Sequence, residues 1–352
     1  MRSPLRHLAL TALVAALAAC GASDHSNHYT SLVVFGDSLS DVGTHNVGTV
    51  AQLGAGTGGA GRWTINSVAG GEIWVERIAS ELGLTKPCAA ETGLLPNLPG
   101  LTGAAVTAHP GCTNYAQGSA RITSPLGPNA YALQAAFSIQ TLGLLAKPIQ
   151  NQMDAHLTAA GGSFSGSELI VVLAGANDVF MEAQLTAGAG NPAGAVTNVA
   201  TAGATLGQLI KTKLVDKGAR RVLVLNMPDV AGTPFLKTQS ADSRTLVDTM
   251  VNAFNAQLAA QLTGVTQVRI GDLYTRSKDQ GANPAKYGLT NTTTATCGAN
   301  ALGTTSLVCN ASNVIAGDIS HYAFADDVHP TPYGHQLIAQ FTTQELLAAS
   351  WH

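Results

Sequence analysis

Three short, almost wholly apolar runs constrain this chain more strongly than any other feature of its sequence. They are residues 31–35 (SLVVF), 168–174 (ELIVVLA) and 221–226 (RVLVLN), and the first two are each followed directly by a glycine. Such runs, rich in β-branched residues, are typical of parallel strands that are buried on both faces of a sheet. Residues 267–270 predict a fourth strand, so the sequence indicates an α/β fold.

Helical patterns lie between the predicted strands. A helix is predicted from Glu72 to a stop at Gly83, and others over 130–160 around Pro148, 204–216, 242–262 and 336–349. Strands that alternate with helices at this spacing indicate a parallel sheet covered by helices on both faces. The Ala/Gly-rich residues 183–200 are left open between a mobile lid and a passive linker.

Ser38 follows the first predicted strand at once, in Gly36-Asp37-Ser38-Leu39. Ligands of such sheets bind beyond the carboxyl ends of the strands, and a tight turn there exposes a serine hydroxyl. A serine becomes a nucleophile when a base removes its proton. On its own the segment equally fits an ordinary turn in which Ser38 caps a helix.

Asp326 and His329 supply the acid and the base that Ser38 needs. A carboxylate three residues before a histidine can reach one ring nitrogen in a turn, which leaves the other nitrogen free to face the serine. Asp327 is the alternative acceptor, although adjacent turn positions point apart. The simpler interpretation of His329 is a surface histidine before a proline.

Gly118 and Asn177 are candidate donors for an oxyanion, together with the Ser38 amide. A glycine lets its N–H approach a ligand closely, and an asparagine donates from its side-chain amide. Taken singly, Gly118 also fits a turn and Asn177 a helix cap.

Four segments in order resemble the conserved blocks of the SGNH, or GDSL, hydrolase family. They are residues 33–44 (VVFGDSLSDVGT), 114–121 (NYAQGSAR), 171–180 (VVLAGANDVF) and 324–331 (FADDVHPT). The resemblance, to the lipolytic esterase and lipase branch, implies a flavodoxin-like three-layer α/β/α fold. It also implies Ser38 as nucleophile, His329 as base beside Asp326, and Ser38, Gly118 and Asn177 as oxyanion donors. The second block departs from the family, which often has a second glycine where this chain has Ser119.

The first twenty residues predict export. Arg2 and Arg6 precede an apolar run too short to span a bilayer, which is typical of a signal peptide. Leu17-Ala18-Ala19-Cys20 resembles a bacterial lipobox, which predicts acylation of Cys20 and a cell-envelope lipoprotein, with the outer membrane as the favoured location. Cleavage without acylation, giving a secreted protein, is the alternative. Residues 21–30 are then a linker, and 31–352 one hydrolase domain.

The other four cysteines predict two disulfide bonds, because their number is even and the chain is bound for an oxidising compartment. Three pairings are possible. Cys88–Cys112 with Cys297–Cys309 is favoured because each pair closes a loop rich in Gly, Thr and Asn. Zinc is the competing interpretation, but no CxxC spacing supports it.

Charge and composition limit the function further. With 45% apolar and 11% charged residues the chain is expected to fill a globular core. Arg2 and Arg6 lie in the leader, so the remaining residues hold 16 Lys and Arg against 21 Asp and Glu, which predicts no nucleic-acid partner. No cofactor motif is found.

The predicted function is hydrolysis of carboxylic esters, of lipids or aryl alcohols, through an acyl-enzyme on Ser38. Glycerophospholipid acyltransferase and carbohydrate acetylesterase are alternatives of the same family. A non-catalytic surface lipoprotein on the same fold is the alternative from another class, and it would be favoured if His329 lay far from Ser38. The sequence does not predict an oligomeric state.

Overall fold

A parallel sheet stands at the centre of the computed structural model, which describes residues 29–55, 59–66, 71–94, 101–128, 146–349 and Trp351. The leader, Cys20 and residues 129–145 of the helical segment predicted over 130–160 lie outside the described residues. The strands are β1 (Leu32–Gly36), β2 (Glu91–Leu94), β3 (Ala104–Ala108), β4 (Leu169–Leu173), β5 (Val222–Leu225), β6 (Val268–Gly271), β7 (Asn291–Ala295) and β8 (Tyr322–Phe324).

The helices are α1 (Gly48–Gly54), α2 (Trp74–Glu81), α3 (Ile149–Ala159), α4 (Ala176–Ala189), α5 (Pro192–Leu209), α6 (Pro234–Lys237), α7 (Ala241–Leu262), α8 (Leu273–Ala282) and α9 (Pro332–Ala348). A π-helical turn, Ile210–Leu214, and a 3₁₀ turn, Val215–Lys217, extend α5. Further 3₁₀ turns are Val230–Gly232, Pro284–Tyr287 and Ser306–Val308.

The central sheet has the order β1-β4-β5-β6, and every neighbouring pair is parallel. The three apolar runs form β1, β4 and β5, and β6 is the fourth strand, predicted over 267–270. A short extended segment adds to the free edge of β1: Val34 N–H donates to Thr113 O at 3.0 Å, and Tyr115 N–H donates to Val34 O at 2.9 Å. This extended segment and the four strands therefore lie side by side in five positions. The segment is at the edge next to β1, the strand that Ser38 follows.

Helices cover both faces of this sheet. Alternate residues of β1 enter different cores: Val33 and Phe35 pack with residues of α3, α5 and α7, whereas Leu32 and Val34 pack with residues of α2, α8 and α9. Side chains of a strand point alternately to opposite faces, so two apolar faces require two helical layers. The predicted three-layer α/β/α fold is confirmed.

Most of residues 183–200 are helical: residues 183–189 end α4 and residues 192–200 begin α5, so the segment is not an irregular linker. Asn191 caps α5 by accepting Gly194 N–H at 2.9 Å. Further along α5, a Cβ on Gly203 would overlap the Phe254 backbone and one on Gly207 would overlap Gln261. These two glycines therefore allow α5 to pack closely against α7.

Other elements begin outside their predicted bounds or lie in segments without a predicted element. Helix α9 begins at Pro332, four residues before its predicted start, because Thr331 Oγ1 accepts Gly334 N–H at 3.0 Å and Pro332 suits a first helical turn. The loop between Cys88 and Cys112 contains the antiparallel pair of β2 and β3.

Two disulfide bonds are present, Cys88–Cys112 and Cys297–Cys309, in the local pairing that the sequence favours. The first closes the loop that carries β2 and β3. The second closes a loop that lies beside Ala325, whose carbonyl accepts Cys297 N–H at 2.7 Å. Within the described part of the chain, no helix has both the length and the hydrophobicity needed to cross a bilayer.

Candidate active site

Ser38 lies on the turn that ends β1. Gly36 is needed there because a Cβ at this position would lie 2.5 Å from Leu173 O, at the end of the neighbouring strand. Asp37 then closes the turn: its Oδ1 accepts Leu39 N–H at 3.1 Å, and its carbonyl accepts Ser40 N–H at 3.0 Å. The turn exposes the Ser38 side chain at the carboxyl edge of the sheet.

His329 meets Ser38 across this edge. Its Nε2 lies 2.9 Å from Ser38 Oγ, and its Nδ1 lies 2.8 Å from both carboxylate oxygens of Asp326. The carbonyl of Asp327 accepts Phe235 N–H at 3.0 Å, and the carboxylate beside His329 is that of Asp326. The structure thus brings together all three residues that the sequence predicts as nucleophile, base and acid.

Asp326 is buried and held by several donors. Its carboxylate accepts the backbone N–H groups of Ser306 at 2.9 Å, Val328 at 3.0 Å and His329 at 2.7 Å. Burial alone would raise the pKa of Asp326, but the adjacent His329 and these hydrogen bonds lower the pKa well below its usual value. The carboxylate is therefore ionised at neutral pH and orients the imidazole through Nδ1.

Gly118 does not serve as the sequence predicts. Its N–H donates to Asp41 Oδ2 at 3.0 Å, so this donor is already used inside the protein. The following residue, Ser119, lines the cleft beside Ser38. This hydrogen bond does not support Gly118 as the oxyanion donor, and Ser119 is the candidate in its place.

Three donors remain at the cleft. The backbone N–H groups of Ser38 and Ser119 have no acceptor among the described residues. Asn177, at the start of α4, uses Nδ2 to donate to Ala120 O at 3.0 Å, which leaves its second amide hydrogen available. All three residues line the same cleft.

Ser119 has a left-handed backbone, with φ of 66°, which favours glycine. The turn before it is fixed by Gln117, which accepts Ala120 N–H at its carbonyl and donates from Nε2 to Glu91 at 2.6 Å. The sequence feature that marks Ser119 is that the family often has a second glycine at this position.

The sequence comparisons agree with this geometry. The family model described as GDSL-like Lipase/Acylhydrolase matches residues 32–341. The chain belongs to this family. The match spans the turn at Ser38 and the pair at 326 and 329, and it includes every strand of the central sheet.

Several curated proteins of the GDSL family are similar to this chain. One GDSL esterase/lipase of Arabidopsis thaliana is 28% identical over 148 residues, which cover 38% of this chain and 40% of the relative. A second from the same plant is 25% identical over 202 residues, covering 51% and 53%. Lipase 1 of Photorhabdus luminescens is 25% identical over 393 aligned positions, covering 93% of this chain and 52% of the relative. The chain spans about half the length of the curated relatives it matches.

The cleft of this GDSL family member is mainly apolar. It has a volume of about 320 Å³ and is lined beside Ser38 by Leu39, Trp63, Phe180, Val230, Phe235 and Phe324. A volume of this size suits a small organic ligand. Phe180 is the last residue of the third family block, but neither that block nor the segment around Phe235 indicates from sequence that these side chains line the cleft.

Two acidic residues near Ser38, Asp37 and Asp178, hold turns of the backbone. Asp178 accepts Arg121 Nε–H and Ile122 N–H, each at 3.0 Å. Burial raises the pKa of Asp37 to about 7, although the Leu39 N–H and nearby His329 oppose that rise. The described residues hold no group of three or more His, Cys, Asp or Glu side chains that could bind a metal ion.

Proposed function

We propose that this protein is a serine esterase that hydrolyses carboxylic esters through an acyl-enzyme on Ser38. The observation that carries the proposal is the line of contacts from Ser38 Oγ to His329 Nε2 at 2.9 Å and from His329 Nδ1 to Asp326 at 2.8 Å. A hydroxyl, an oriented imidazole and an ionised carboxylate in this order activate a nucleophile for acyl transfer. Membership of the GDSL family supports the same activity.

The acylation step begins when Ser38 Oγ bonds to the ester carbonyl carbon and its proton passes to His329 Nε2. The carbonyl oxygen becomes an oxyanion, which the Ser38 and Ser119 N–H groups and Asn177 Nδ2 stabilise. When the carbon–oxygen bond to the alcohol breaks, His329 returns the proton to the leaving oxygen. The alcohol departs, and the acyl group remains on Ser38.

The deacylation step uses water in the place of the alcohol. His329 Nε2 accepts a proton from water as its oxygen bonds to the acyl carbon, and the same three donors bind the second oxyanion. The bond to Ser38 then breaks, and the proton on His329 passes to Ser38 Oγ. The carboxylic acid leaves, and the free enzyme is restored.

The proposed substrates are esters of lipids or aryl alcohols. The apolar side chains beside Ser38, including Phe180 and Phe235, suit a hydrocarbon or aromatic group. They favour these esters over the acetylated carbohydrates considered as an alternative. A glycerophospholipid acyltransferase would use the same steps with an alcohol in place of water, so adding glycerol and measuring transesterified product against free acid distinguishes the two.

The contact between Ser38 and His329 also bears on the non-catalytic alternative. A binding lipoprotein on this fold would be favoured if the imidazole lay apart from the serine, whereas the two side chains are within hydrogen-bond distance. The described geometry therefore gives that alternative no support.

We also propose that residues 31–352 form one domain and that the protein is located outside the cytoplasm. Two disulfide bonds support an oxidising compartment. The lipobox-like segment that ends at Cys20 supports acylation and membrane anchoring. Fractionation of cells that produce wild type and Cys20→Ser tests this, because only the wild type should be found with the membrane; equal solubility counts against acylation.

The decisive experiment compares wild type with Ser38→Ala on p-nitrophenyl esters from acetate to palmitate and on phospholipids. The wild type is expected to hydrolyse some of these esters, and the variant to lose almost all of that activity. Ser165→Ala, at an exposed turn remote from the cleft lining, is the matched control and should keep full activity. Equal activity of wild type and Ser38→Ala would overturn the proposal.

A further inference from the structure

Trp63 packs against the imidazole of His329. The two ring centroids are 4.8 Å apart, and the ring planes are inclined by 33°. Trp63 is 8% exposed and lines the cleft. Asp326 and Ser38 hold the imidazole by its two nitrogens, which lie at the ring edge, whereas the indole covers a face of the ring.

We propose that Trp63 is a positioning residue for His329, which holds the imidazole in line with Ser38 and stabilises the imidazolium that forms during acyl transfer. The inference rests on the proposed esterase function. Tryptophan is the aromatic side chain that attracts a cation most strongly, and the interaction acts within about 6 Å of the ring centroid. The neutral imidazole gains little from it, so the contact favours the charged transition state over the resting enzyme.

The chain around Trp63 is anchored on both sides, as a positioning role requires. Arg62 forms two hydrogen bonds with Glu76, at 2.8 and 2.6 Å. Thr64 Oγ1 donates to Pro330 O at 2.9 Å, and Pro330 directly follows His329. A hydrogen bond between the residues that follow Trp63 and His329 therefore links the two segments, in addition to the contact between the two rings.

Asn66 ties this segment to the loop that holds Asp326. Its Nδ2 donates to Ser306 O at 3.2 Å and to Cys309 O at 3.2 Å, and its backbone N–H donates to Cys309 O at 2.8 Å. Ser306 N–H is in turn a donor to Asp326. One buried asparagine thus fixes the supports of both partners of the imidazole, the indole at its face and the carboxylate at Nδ1.

Gly118 provides the space for the indole. A Cβ at this position would lie 2.7 Å from Trp63 Cζ2 and 2.9 Å from its Nε1, which no real side chain could occupy without displacing the ring. Since the Gly118 N–H is bound to Asp41, the absence of a side chain explains this glycine better than any approach of its amide to a ligand.

Trp63→Leu and Trp63→Phe test the proposal, with Phe180→Leu as the matched control for loss of an aromatic side chain from the cleft wall. Trp63→Leu is expected to lower kcat about 10-fold or more on a short acetyl ester, and to move the acid limb of the kcat/KM profile to lower pH. Trp63→Phe should restore part of kcat, because it keeps an aromatic face. Phe180→Leu should change KM for longer esters and leave the acid limb in place.

A second measurement needs no turnover. Imidazole resonances followed by NMR at one pH should show the His329 ring signals displaced in Trp63→Leu, because the indole that covers a face of the imidazole is lost. This also separates the two proposals, since an inactive wild type would defeat the esterase function alone. If Trp63→Leu does not fold, Thr64→Val, which removes only the tether to Pro330, takes its place. An unmoved acid limb together with unchanged kcat for Trp63→Leu on the short ester would overturn the positioning role.

Discussion

Ser38 and His329 are separated by 291 positions in the chain, yet Oγ of the first and Nε2 of the second lie 2.9 Å apart. The turn after β1 presents the serine, and the segment before α9 presents the histidine, at the same edge of the sheet. The contact depends on the correct placement of both ends of the chain, so variants that disturb either support should reduce activity without touching Ser38.

Asp326→Asn should lower kcat about 10³- to 10⁴-fold, with little change in KM, because an amide no longer orients and stabilises the imidazolium. Steady-state hydrolysis of a short p-nitrophenyl ester measures this effect. Asp327→Asn is the neighbouring control and should retain near wild-type kcat. Equal losses in the two variants would contradict the assignment of Asp326.

Asn177→Ala should lower kcat about 10²- to 10³-fold, because one donor to the oxyanion is lost. Its contact with Ala120 O is lost as well, so the free energy of unfolding must be measured beside the rate. A fall in stability without a fall in kcat would show that Asn177 acts only as a structural residue.

Ser119→Gly should raise the free energy of unfolding by about 1 kcal/mol, because glycine adopts a φ of 66° without the steric cost that a side chain has there. Its N–H remains in place, so kcat should stay within a few-fold of the wild type. Urea denaturation and ester hydrolysis measure the two effects. Ser119→Ala keeps the strained backbone and should show no gain in stability.

Asp37→Asn should stabilise the protein above pH 7 and have almost no effect near pH 4. The pKa of Asp37 is about 7 in the folded protein against 3.8 as its ordinary value, so the folded state binds the extra proton between these values and loses stability as pH rises through them. The neutral amide avoids that loss, which corresponds to about 2 to 4 kcal/mol at pH 8. Thermal unfolding at pH 4 and pH 8 provides the comparison, and a gain that is equal at both would refute it.

Reducing Cys297–Cys309 should lower kcat, because the loop that this bond closes carries Ser306, a donor to Asp326. Replacement of both cysteines by serine is also expected to cost about 3 kcal/mol of stability. Serine replacement of Cys88 and Cys112 is the matched variant. Assays well below both unfolding temperatures should show the larger fall in kcat for the pair at 297 and 309.

The four strands of the central sheet and the three residues Ser38, Asp326 and His329 were predictable from sequence because each has a local cause. Apolar β-branched runs are buried strands almost wherever they occur in an α/β chain, and an aspartate three residues before a histidine reaches it within one turn. Ser38 is likewise marked by its position after a strand.

The sequence could not predict which residue of the turn at 117–120 faces the cleft. Gly118 and Ser119 both suit a tight turn, and the one that faces the cleft is decided by the distant carboxylate of Asp41, which binds the Gly118 N–H. Trp63 gave the same difficulty, because only the fold brings it to His329. Contacts between segments far apart in the chain leave little trace in local pattern.

The packing of α5 on α7 has a consequence for how this chain tolerates change. Gly203 and Gly207 face backbone and side-chain atoms with no free volume between them, so even a single methyl group there would force the helices apart. A segment built from few residue types is commonly expected to tolerate substitution. Here two glycines of an alanine- and glycine-rich helix leave no room for enlargement, and random mutagenesis should find few tolerated bulky residues at those two positions.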